Sequence, residues 1–281
     1  MKRRQWFEFE DQSWLSPALR DMVTEFLQRT LILRAGVYLP VVPMLEEMLE
    51  YQNTDQVVDL CSGASGPWAQ LYERLRQGGR EISLTLTDKY PNARPIRGVE
   101  DIPGTAIRYE SNPVDATDVP GDLAGVRTMF TSFHHFPPEI GREILRNAVD
   151  NQVPICIFEF TERRWKTVLG TLVVAPVMLA AWALLGRPRS ARKLFWTFVV
   201  PILPLVVTWD GMVSNLRTYL AGELETLATT LHDETYVWKA GQLKARETKI
   251  PITYLIGYPG AGERQTRAEP KGARHGSPVS P

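Results

Sequence analysis

An alternation of short apolar runs with helical stretches between residues 56 and 160 constrains the fold more than any other feature. The apolar runs are rich in Val, Ile, Leu and Phe and are bounded by small or polar residues, as β-strands are. They lie at 56–60, 82–88, within 106–116, at 127–133 and at 153–160. Helical patterns lie among them at 67–77 and 138–149. This order predicts a doubly wound, mostly parallel, Rossmann-like α/β sheet with helices on both faces.

The regions on either side extend this pattern. Residues 235–245 and 251–259 are two further strands joined by a short polar turn. They are therefore predicted to pair antiparallel and to complete a seven-stranded sheet with an antiparallel last strand. Residues 212–231 are predicted to form one helix before them. At the other end, Ser16-Pro17 is typical of a helix start, and a second helix is predicted after Pro43.

Five segments follow from these patterns. They are an N-terminal helical cap, a ligand-binding core, an apolar helical insert, the end of the core and a tail, at 1–52, 53–160, 161–211, 212–259 and 260–281. The tail is rich in Gly, Pro, Arg and Glu, a composition that predicts disorder.

Charge and cysteine content exclude some classes of protein. The chain has 32 Lys and Arg against 32 Asp and Glu, whereas a protein that grips nucleic acid usually carries a basic excess. Cys61 and Cys156 are the two cysteines, and no Cys-x-x-Cys spacing exists, so we expect neither a metal site nor a disulfide framework. The N-terminus lacks the apolar segment of a signal peptide. A reducing cytoplasm is the predicted location.

The stretch from Val57 to Gly66, VVDLCSGASG, carries the most chemical information. A buried strand ends in the acid Asp59, a turn of small residues follows, and a helix comes next. Small residues let the backbone approach a ligand closely, and the start of a helix offers free N–H groups. The alternative is a tight turn without a ligand. The pattern favours a nucleotide or nucleoside pocket at the carboxyl end of the sheet.

This stretch resembles the first motif of class I S-adenosylmethionine (SAM)-dependent methyltransferases, acidic-x-Gly-x-Gly-x-Gly. The matching positions are Asp59, Cys61, Gly63 and Ser65, with Gly66 just beyond. Two of the three glycines are thus replaced by other small residues. The Asp-Leu-Cys-Ser-Gly turn is similar to that of bacterial methyltransferase-like proteins. The resemblance covers residues 55–160 and the antiparallel ending at 235–259, and it implies SAM as the cofactor.

Later positions match the same family in order. Asp88 ends the second strand, where the family's acid hydrogen-bonds the ribose hydroxyls. Asp115-Ala116 resembles the family's Asp-Ala turn, whose acid meets the adenine amino group. Ser132, at the end of the fourth strand, begins a stretch that resembles the motif bordering the transferring methyl group. Each acid alone is equally typical of a cap or a surface residue.

Two histidines in that last stretch are the candidate catalytic residues. His134 and His135 could deprotonate a hydroxyl or amine nucleophile, because an imidazole titrates near neutral pH. Either could instead only pack at the strand's end. Glu159 and Asp210 are weaker candidates. A dinucleotide oxidoreductase is less favoured, since CSGASG lacks the first glycine of G-x-G-x-x-G.

The apolar insert admits several interpretations. Residues 167–186 are uncharged and long enough to span a bilayer, and 194–209 are uncharged but interrupted by Pro201 and Pro204. Both flanks belong to one sheet, which excludes a single span, and the basic loop between the halves disfavours a hairpin of two spans. The remaining interpretations are a peripheral membrane contact through 165–209, a lid over a greasy pocket, or a homo-oligomer interface.

The predicted function is SAM-dependent methyl transfer to a small, apolar or lipid-like acceptor. The N-terminal helices would join the insert in covering the pocket, and Trp14, Tyr38 and Trp209 are candidate substrate contacts, although such aromatics are more often core. The alternative is a membrane-associated protein that binds SAM and has lost catalysis.

Overall fold

A computed structural model describes residues 1–32, 36–63, 65–91, 106–186, 189–244 and 250–260. Within these ranges the chain forms one seven-stranded sheet in the order β3-β2-β1-β4-β5-β7-β6. The strands are β1 Gln56–Asp59, β2 Ser83–Leu86, β3 Ala106–Tyr109, β4 Val126–Phe130, β5 Ile155–Glu159, β6 Tyr236–Lys244 and β7 Pro251–Pro259. Strands β1 to β5 run parallel, and β7 pairs antiparallel with both β5 and β6. The predicted sheet, including its antiparallel ending, is confirmed.

Eight α-helices surround or extend this sheet in the described part of the chain. They are α1 Pro17–Leu27, α2 Val42–Gln52, α3 Trp68–Gln77, α4 Pro138–Asp150, α5 Trp165–Leu185, α6 Ala191–Leu194, α7 Ile202–Arg217 and α8 Ala221–Thr229. Apolar residues of α2 and α3 pack on one face of the sheet, and those of α4 and α8 pack on the other. Strands β4 and β5 are buried at every position because both of their faces are covered.

The insert forms a helical layer with the first helix. Helix α5 packs against α7, and a third apolar cluster joins both of them to α1. Phe26 of α1 meets Trp182 of α5 edge to face, with ring centroids 5.8 Å apart. Helix α2 instead packs on the sheet. The two predicted N-terminal helices therefore cover different parts of the molecule.

The predicted single helix at 212–231 is wrong. Helix α7 ends at Arg217, and α8 begins at Ala221. Thr218 is extended, with φ −54° and ψ 132°, and its hydroxyl donates to the Thr161 hydroxyl at 2.6 Å. The Glu223 carboxylate then accepts from the Leu220 N–H at 2.9 Å, which satisfies one free donor at the start of α8. The predicted tail, apart from Gly260, lies outside the described residues.

Candidate functional site

The turn after β1 has an unusual backbone. Cys61, Gly63 and Ser65 have φ values of 56°, 51° and 71°, all in the left-handed region. These are the three positions at which the resembled motif carries glycine, the residue that adopts this conformation without steric cost. The Ser65 hydroxyl also accepts a hydrogen bond from the Gln28 amide at 3.0 Å. The chain therefore keeps a glycine-type turn with two non-glycine residues in it.

Asp59 anchors this turn from below. Its carboxylate is buried and accepts a hydrogen bond from the Thr128 hydroxyl of β4 at 2.7 Å. Its main-chain carbonyl accepts from the Ser62 and Thr87 hydroxyls, each at 2.9 Å. Burial raises the pKa of Asp59 to about 6, against the lowering effect of its hydrogen bonds. Asp59 thus ties β1 to both neighbouring strands at the point where the strand order of the sheet reverses.

The other two predicted cofactor acids lie at the same edge of the sheet. A carboxylate oxygen of Asp88 accepts from the Gly63 N–H at 3.0 Å, which joins the loop after β2 to the turn after β1. The main-chain carbonyl of Asp88 accepts from Val114 at 2.9 Å. Asp115 follows, bonded to Lys89 at 2.7 Å, and the hydrogen bond from Lys89 lowers the pKa of Asp115 to about 2. Its neighbour Ala116 is buried in the core.

Two buried polar atoms near the end of β4 lack a hydrogen-bond partner within the described residues. They are the Ser132 hydroxyl and the Nε2 atom of His134. Ser132 is 8% exposed and His134 is 1% exposed, and buried polar groups in proteins are normally satisfied. Because β4 lies beside β1, these residues follow the strand that adjoins the left-handed turn. Orphaned groups at this place fit a site that a ligand completes.

His134 is oriented by Glu159 at the end of β5. The His134 ring Nδ1 lies 2.8 Å from one Glu159 carboxylate oxygen, and the His134 main-chain N–H donates to the other at 3.2 Å. A carboxylate partner makes Nδ1 the protonated nitrogen and leaves Nε2 as a free base. Burial opposes ionisation of Glu159, but its close contact and hydrogen bonds with His134 outweigh burial, so the pKa of Glu159 is lowered.

His135 has a different environment. Its Nδ1 lies 3.0 Å from an Asp11 carboxylate oxygen and 3.4 Å from one of Glu8. Burial lowers the pKa of His135, but the two carboxylates outweigh burial and raise it to about 9. His135 is therefore a cation at neutral pH. Of the two histidines, His134 is the one with a fully buried ring nitrogen that makes no hydrogen bond within the described residues.

Residues 1–15, here called the N-terminal arm, cover both histidines. Arg3 donates to the His134 and Phe136 carbonyls at 3.0 and 2.9 Å, and Gln5 donates to the His135 carbonyl at 2.9 Å. Helix α7 holds the arm from the other side. Asp210 accepts from two arm N–H groups, at 2.7 and 3.1 Å. Burial raises the pKa of Asp210 to about 7.

Sequence reasoning missed Glu8, Asp11 and Arg217. Arg217 of α7 donates to the Asp11 carboxylate at 2.7 Å and lies 3.4 Å from the buried Glu8 carboxylate. The three residues are distant in sequence from the histidines, so spacing could not connect them. The one available signal is the alternation of aromatic and acidic residues in WFEFED, which is unusual for a solvated arm.

Glu8, His134 and His135 place one ligand atom each within 4.8 Å of one another, a spacing that suits a metal ion. Arg217 already supplies a cation to the carboxylates of this group, 3.4 Å from Glu8 and 2.7 Å from Asp11. A metal ion there would be repelled by the guanidinium. We therefore assign no metal to these residues.

The three candidate substrate aromatics are not brought together. Tyr38 is buried in the core, and its hydroxyl bonds Thr131 and the Phe158 carbonyl. Trp14 is 67% exposed. Trp209 donates its ring N–H to the Phe7 carbonyl at 3.0 Å, so it holds the N-terminal arm.

Comparison with known proteins gives structural likeness without sequence likeness. No protein-family model matches the chain, and no curated protein matches it by sequence. The plantazolicin methyltransferase BpumL in complex with SAH superposes with a TM-score of 0.54 at 13% identity, covering 89% of this chain and 94% of that one. Plantazolicin methyltransferase BamL, with a triazolic desmethylPZN analogue and SAH, gives 0.52 at 13% identity, covering 88% and 93%. These likenesses show a shared Rossmann-like fold.

Proposed function

We propose that this protein is a SAM-dependent methyltransferase that acts on a small, apolar or lipid-like acceptor. One observation carries the proposal: the left-handed residues Cys61, Gly63, Ser65 and Gly66, the Asp88 carboxylate and the unpartnered Nε2 of His134 all lie at the carboxyl edge of the parallel strands. Ligands of open α/β sheets bind at this edge, where the strand order reverses. The neighbours BpumL and BamL share the fold and are seen with SAH.

The proposed cofactor site uses the residues of the resembled motifs. Asp59 would anchor the turn that contains Cys61, Gly63, Ser65 and Gly66. This turn would bring the protein backbone into contact with the cofactor. Asp88 would accept from the ribose hydroxyls, Asp115-Ala116 would meet the adenine, and Ser132 would border the reacting centre. When bound, SAM supplies an electrophilic sulfonium methyl group. The protein's task is then to align a nucleophile and to remove its proton.

His134 is the proposed general base. Glu159 fixes its tautomer and stabilises the imidazolium that forms when Nε2 takes a proton. His135 is not favoured as the base, because its raised pKa keeps it protonated. We assign it instead to holding Asp11 and Glu8, and with them the N-terminal arm, over the site. A covered site excludes water, which strengthens the hydrogen bonds within it.

We base an apolar acceptor on the arm that covers His134. It carries Trp6, Phe7 and Phe9, whose rings pack with Trp209 of α7, and it adjoins the apolar layer of α1, α5 and α7. We propose a cytoplasmic location, with peripheral membrane contact through 165–209. The second candidate, a SAM-binding protein without turnover, is favoured only by the replaced glycines at 61 and 65.

Calorimetric titration of SAM and SAH tests the cofactor. We expect micromolar binding that Asp88→Ala weakens about 100-fold or more, because two hydrogen bonds to a charged acceptor are lost. Glu81→Ala, which removes an exposed acid ahead of β2, is the matched control and should bind as the unaltered protein does. Absence of binding by folded protein would refute the methyltransferase proposal.

The base is tested separately, with apolar hydroxyl and amine compounds screened as acceptors. His134→Gln should retain SAM affinity and lower turnover about 100- to 10,000-fold, the usual contribution of a positioned base. Glu159→Gln should also lower turnover and alter its pH profile. SAM binding without turnover on any acceptor would favour the second candidate.

A further inference from the structure

The outward face of α5 is apolar along its whole length. Its exposed residues recur at helical spacing, and they include Leu169, Leu172, Val173, Val177, Leu184 and Leu185. Val173 is 66% and Leu185 is 73% exposed, although neither has a polar atom in its side chain. With 21 residues the helix is about 31 Å long. The exposed apolar residues therefore form a continuous stripe and are not the single, scattered apolar residues that are normal on a protein surface.

Exposed apolar residues continue beyond α5. Phe198 and Val199, in the turn of π-helix at Phe195–Val199, are 49% and 69% exposed, and Leu205 of α7 is 67% exposed. We call this surface, from Leu169 to Leu205, the apolar face. Within the described residues it is the largest run of exposed large apolar side chains.

Basic residues outnumber acidic ones around the apolar face, although Arg163, Arg164 and Lys193 are paired with Glu223, Glu162 and Glu25. From Arg163 to Trp209 the sequence holds seven Lys or Arg residues and no Asp or Glu. Arg164 and Lys166 are exposed at one end of α5, and Arg189 and Arg192 are exposed beyond its other end. A greasy stripe with basic residues at both ends is complementary to the interface of an anionic membrane, where acyl chains meet phosphate groups.

From these observations we infer that the apolar face docks in the plane of an anionic lipid bilayer. The stripe would enter the boundary between head groups and acyl chains, and the basic residues at its ends would lie on phosphates. The inference specifies the membrane contact proposed for residues 165–209, its lipid charge and its orientation, and it does not depend on methyl transfer.

The position of helix α1 indicates that α5 lies in the plane of the bilayer and does not cross it. By length and composition α5 could cross a bilayer, but its partner is broken, with a 76° bend between Ala191–Val199 and α7. Helix α1 lies along the buried side of this pair and reaches its tip, where Glu25 accepts from Lys193 at 2.8 Å. A crossing pair would carry the partly exposed charges of α1 into hydrocarbon.

The same charges disfavour a second copy of this chain as the occupant. In a symmetric dimer the same patch faces itself, so the exposed basic residues Lys166, Arg189 and Arg192 of the two copies would meet in an excess over acids. Like charges at close range oppose such an interface, whereas anionic phosphates satisfy them.

Vesicle sedimentation of the full chain, without SAM, tests the inference. The probes are phosphatidylcholine vesicles and mixed phosphatidylcholine–phosphatidylglycerol vesicles. We expect binding to the mixed vesicles that falls about 100-fold in Val173→Asp/Val177→Asp and about tenfold in Arg189→Gln/Arg192→Gln. Val237→Asp, at a 38% exposed position of β6, is the matched control and should bind as the unaltered protein does.

Omitting SAM keeps this result separate from the cofactor test. If the protein is monomeric and binds neither kind of vesicle, the inference is overturned. A dimer in analytical ultracentrifugation that fails to bind vesicles and that Val173→Asp/Val177→Asp dissociates would also overturn it, because the apolar face would then be a subunit interface. Equal binding to both kinds of vesicle would refute the role of the basic residues.

Discussion

Helices α4 and α5 each pack with one side against the protein, but their outward sides differ. Helix α4 buries Ile144 and Leu145, and its exposed positions include Arg142, Glu143 and Arg146. Helix α5 buries Leu179 and Trp182, and beyond Trp165 and Lys166 in its first turn its exposed positions are Leu, Val and Ala. Packing against the core explains the inward side of both helices. Only a difference in what lies outside explains the difference between the outward sides.

The comparison distinguishes a helix whose outward side suits water from one whose outward side suits an apolar environment. Helix α4 shows a complete amphipathic pattern, as a soluble surface helix does. Helix α5 is apolar all round, a pattern typical of a buried or membrane-contacting helix, yet most of it is not buried in this chain. The predictions below test how independent the two regions are, beginning with the largest expected effect.

The sharpest contrast comes from placing one charge on each helix. Leu145→Asp puts a carboxylate into a fully buried site of α4 and should lower the free energy of unfolding by about 4 kcal/mol or more, or prevent folding. Val173→Asp, on the exposed side of α5, should change it by less than about 0.5 kcal/mol. Urea unfolding measures both. A large loss in Val173→Asp would mean that α5 is buried in solution.

The contact between the N-terminal arm and the end of α7 should show the next largest effect. Arg217→Met removes the guanidinium that holds Asp11 and the Trp6 carbonyl, and it leaves the buried Glu8 with His135 as its remaining cationic neighbour. We expect a loss of about 3 kcal/mol, the usual result of breaking a buried ion pair. Arg164→Met, at an exposed pair with Glu162, should change the free energy by less than about 0.5 kcal/mol. Equal losses of unfolding free energy in the two variants would contradict the proposed role of Arg217 in holding the N-terminal arm.

The N-terminal arm should make stability depend on pH. The pKa of His135 is about 9 when folded, against an ordinary value of 6.5. Because the folded state binds this proton more tightly, its stabilisation is complete below pH 6.5 and is lost as the pH rises through 9. We expect a loss of about 1–2 kcal/mol, allowing for solvent screening.

His135→Gln should remove that part of the slope. The pKa of Asp210, raised to about 7, adds its own decline in stability as the pH rises toward 7. Subtracting the variant's unfolding profile from that of the unaltered protein isolates His135. Parallel profiles between pH 6.5 and 9 would contradict its link to the carboxylates of the arm.

The smallest effect is expected in the first turn. Cys61→Gly should raise the free energy of unfolding by about 0.5 kcal/mol, because glycine adopts a φ of 56° without the steric cost of a Cβ atom. Cys61→Ala keeps the Cβ atom and should show no gain. A loss in Cys61→Gly would mean that the thiol makes a contact that outweighs the backbone strain.

Much of the core could be predicted because its signals are local. Each strand from β1 to β5 is a short apolar run, and the helices α3 and α4 have clear one-sided patterns. The break between α7 and α8 could not be predicted, because the sequence through Thr218 continues the helical pattern. The Thr218–Thr161 hydrogen bond, which joins residues far apart in the chain, accompanies that break.

The candidate site was only partly readable for the same reason. Asp59, Asp88 and His134 each follow a recognisable strand, so the shared edge of a parallel sheet predicts that they lie close together. Glu8 and Arg217 follow no such rule. Their place beside the histidines depends on how the N-terminal arm packs between residues 134–136 and α7.

The sequence by itself determined the sheet, its two-sided cover and the place of the left-handed turn after β1, because hydrophobic periodicity and turn chemistry act over a few residues. Tertiary structure decided that His134 has a buried ring nitrogen without a hydrogen-bond partner and that His135 is held as a cation. That choice depends on carboxylates at 8, 11 and 159, which only long-range folding brings within hydrogen-bonding distance. It also decided which side of the apolar insert is exposed, since composition is apolar on every side of α5 and only packing selects one.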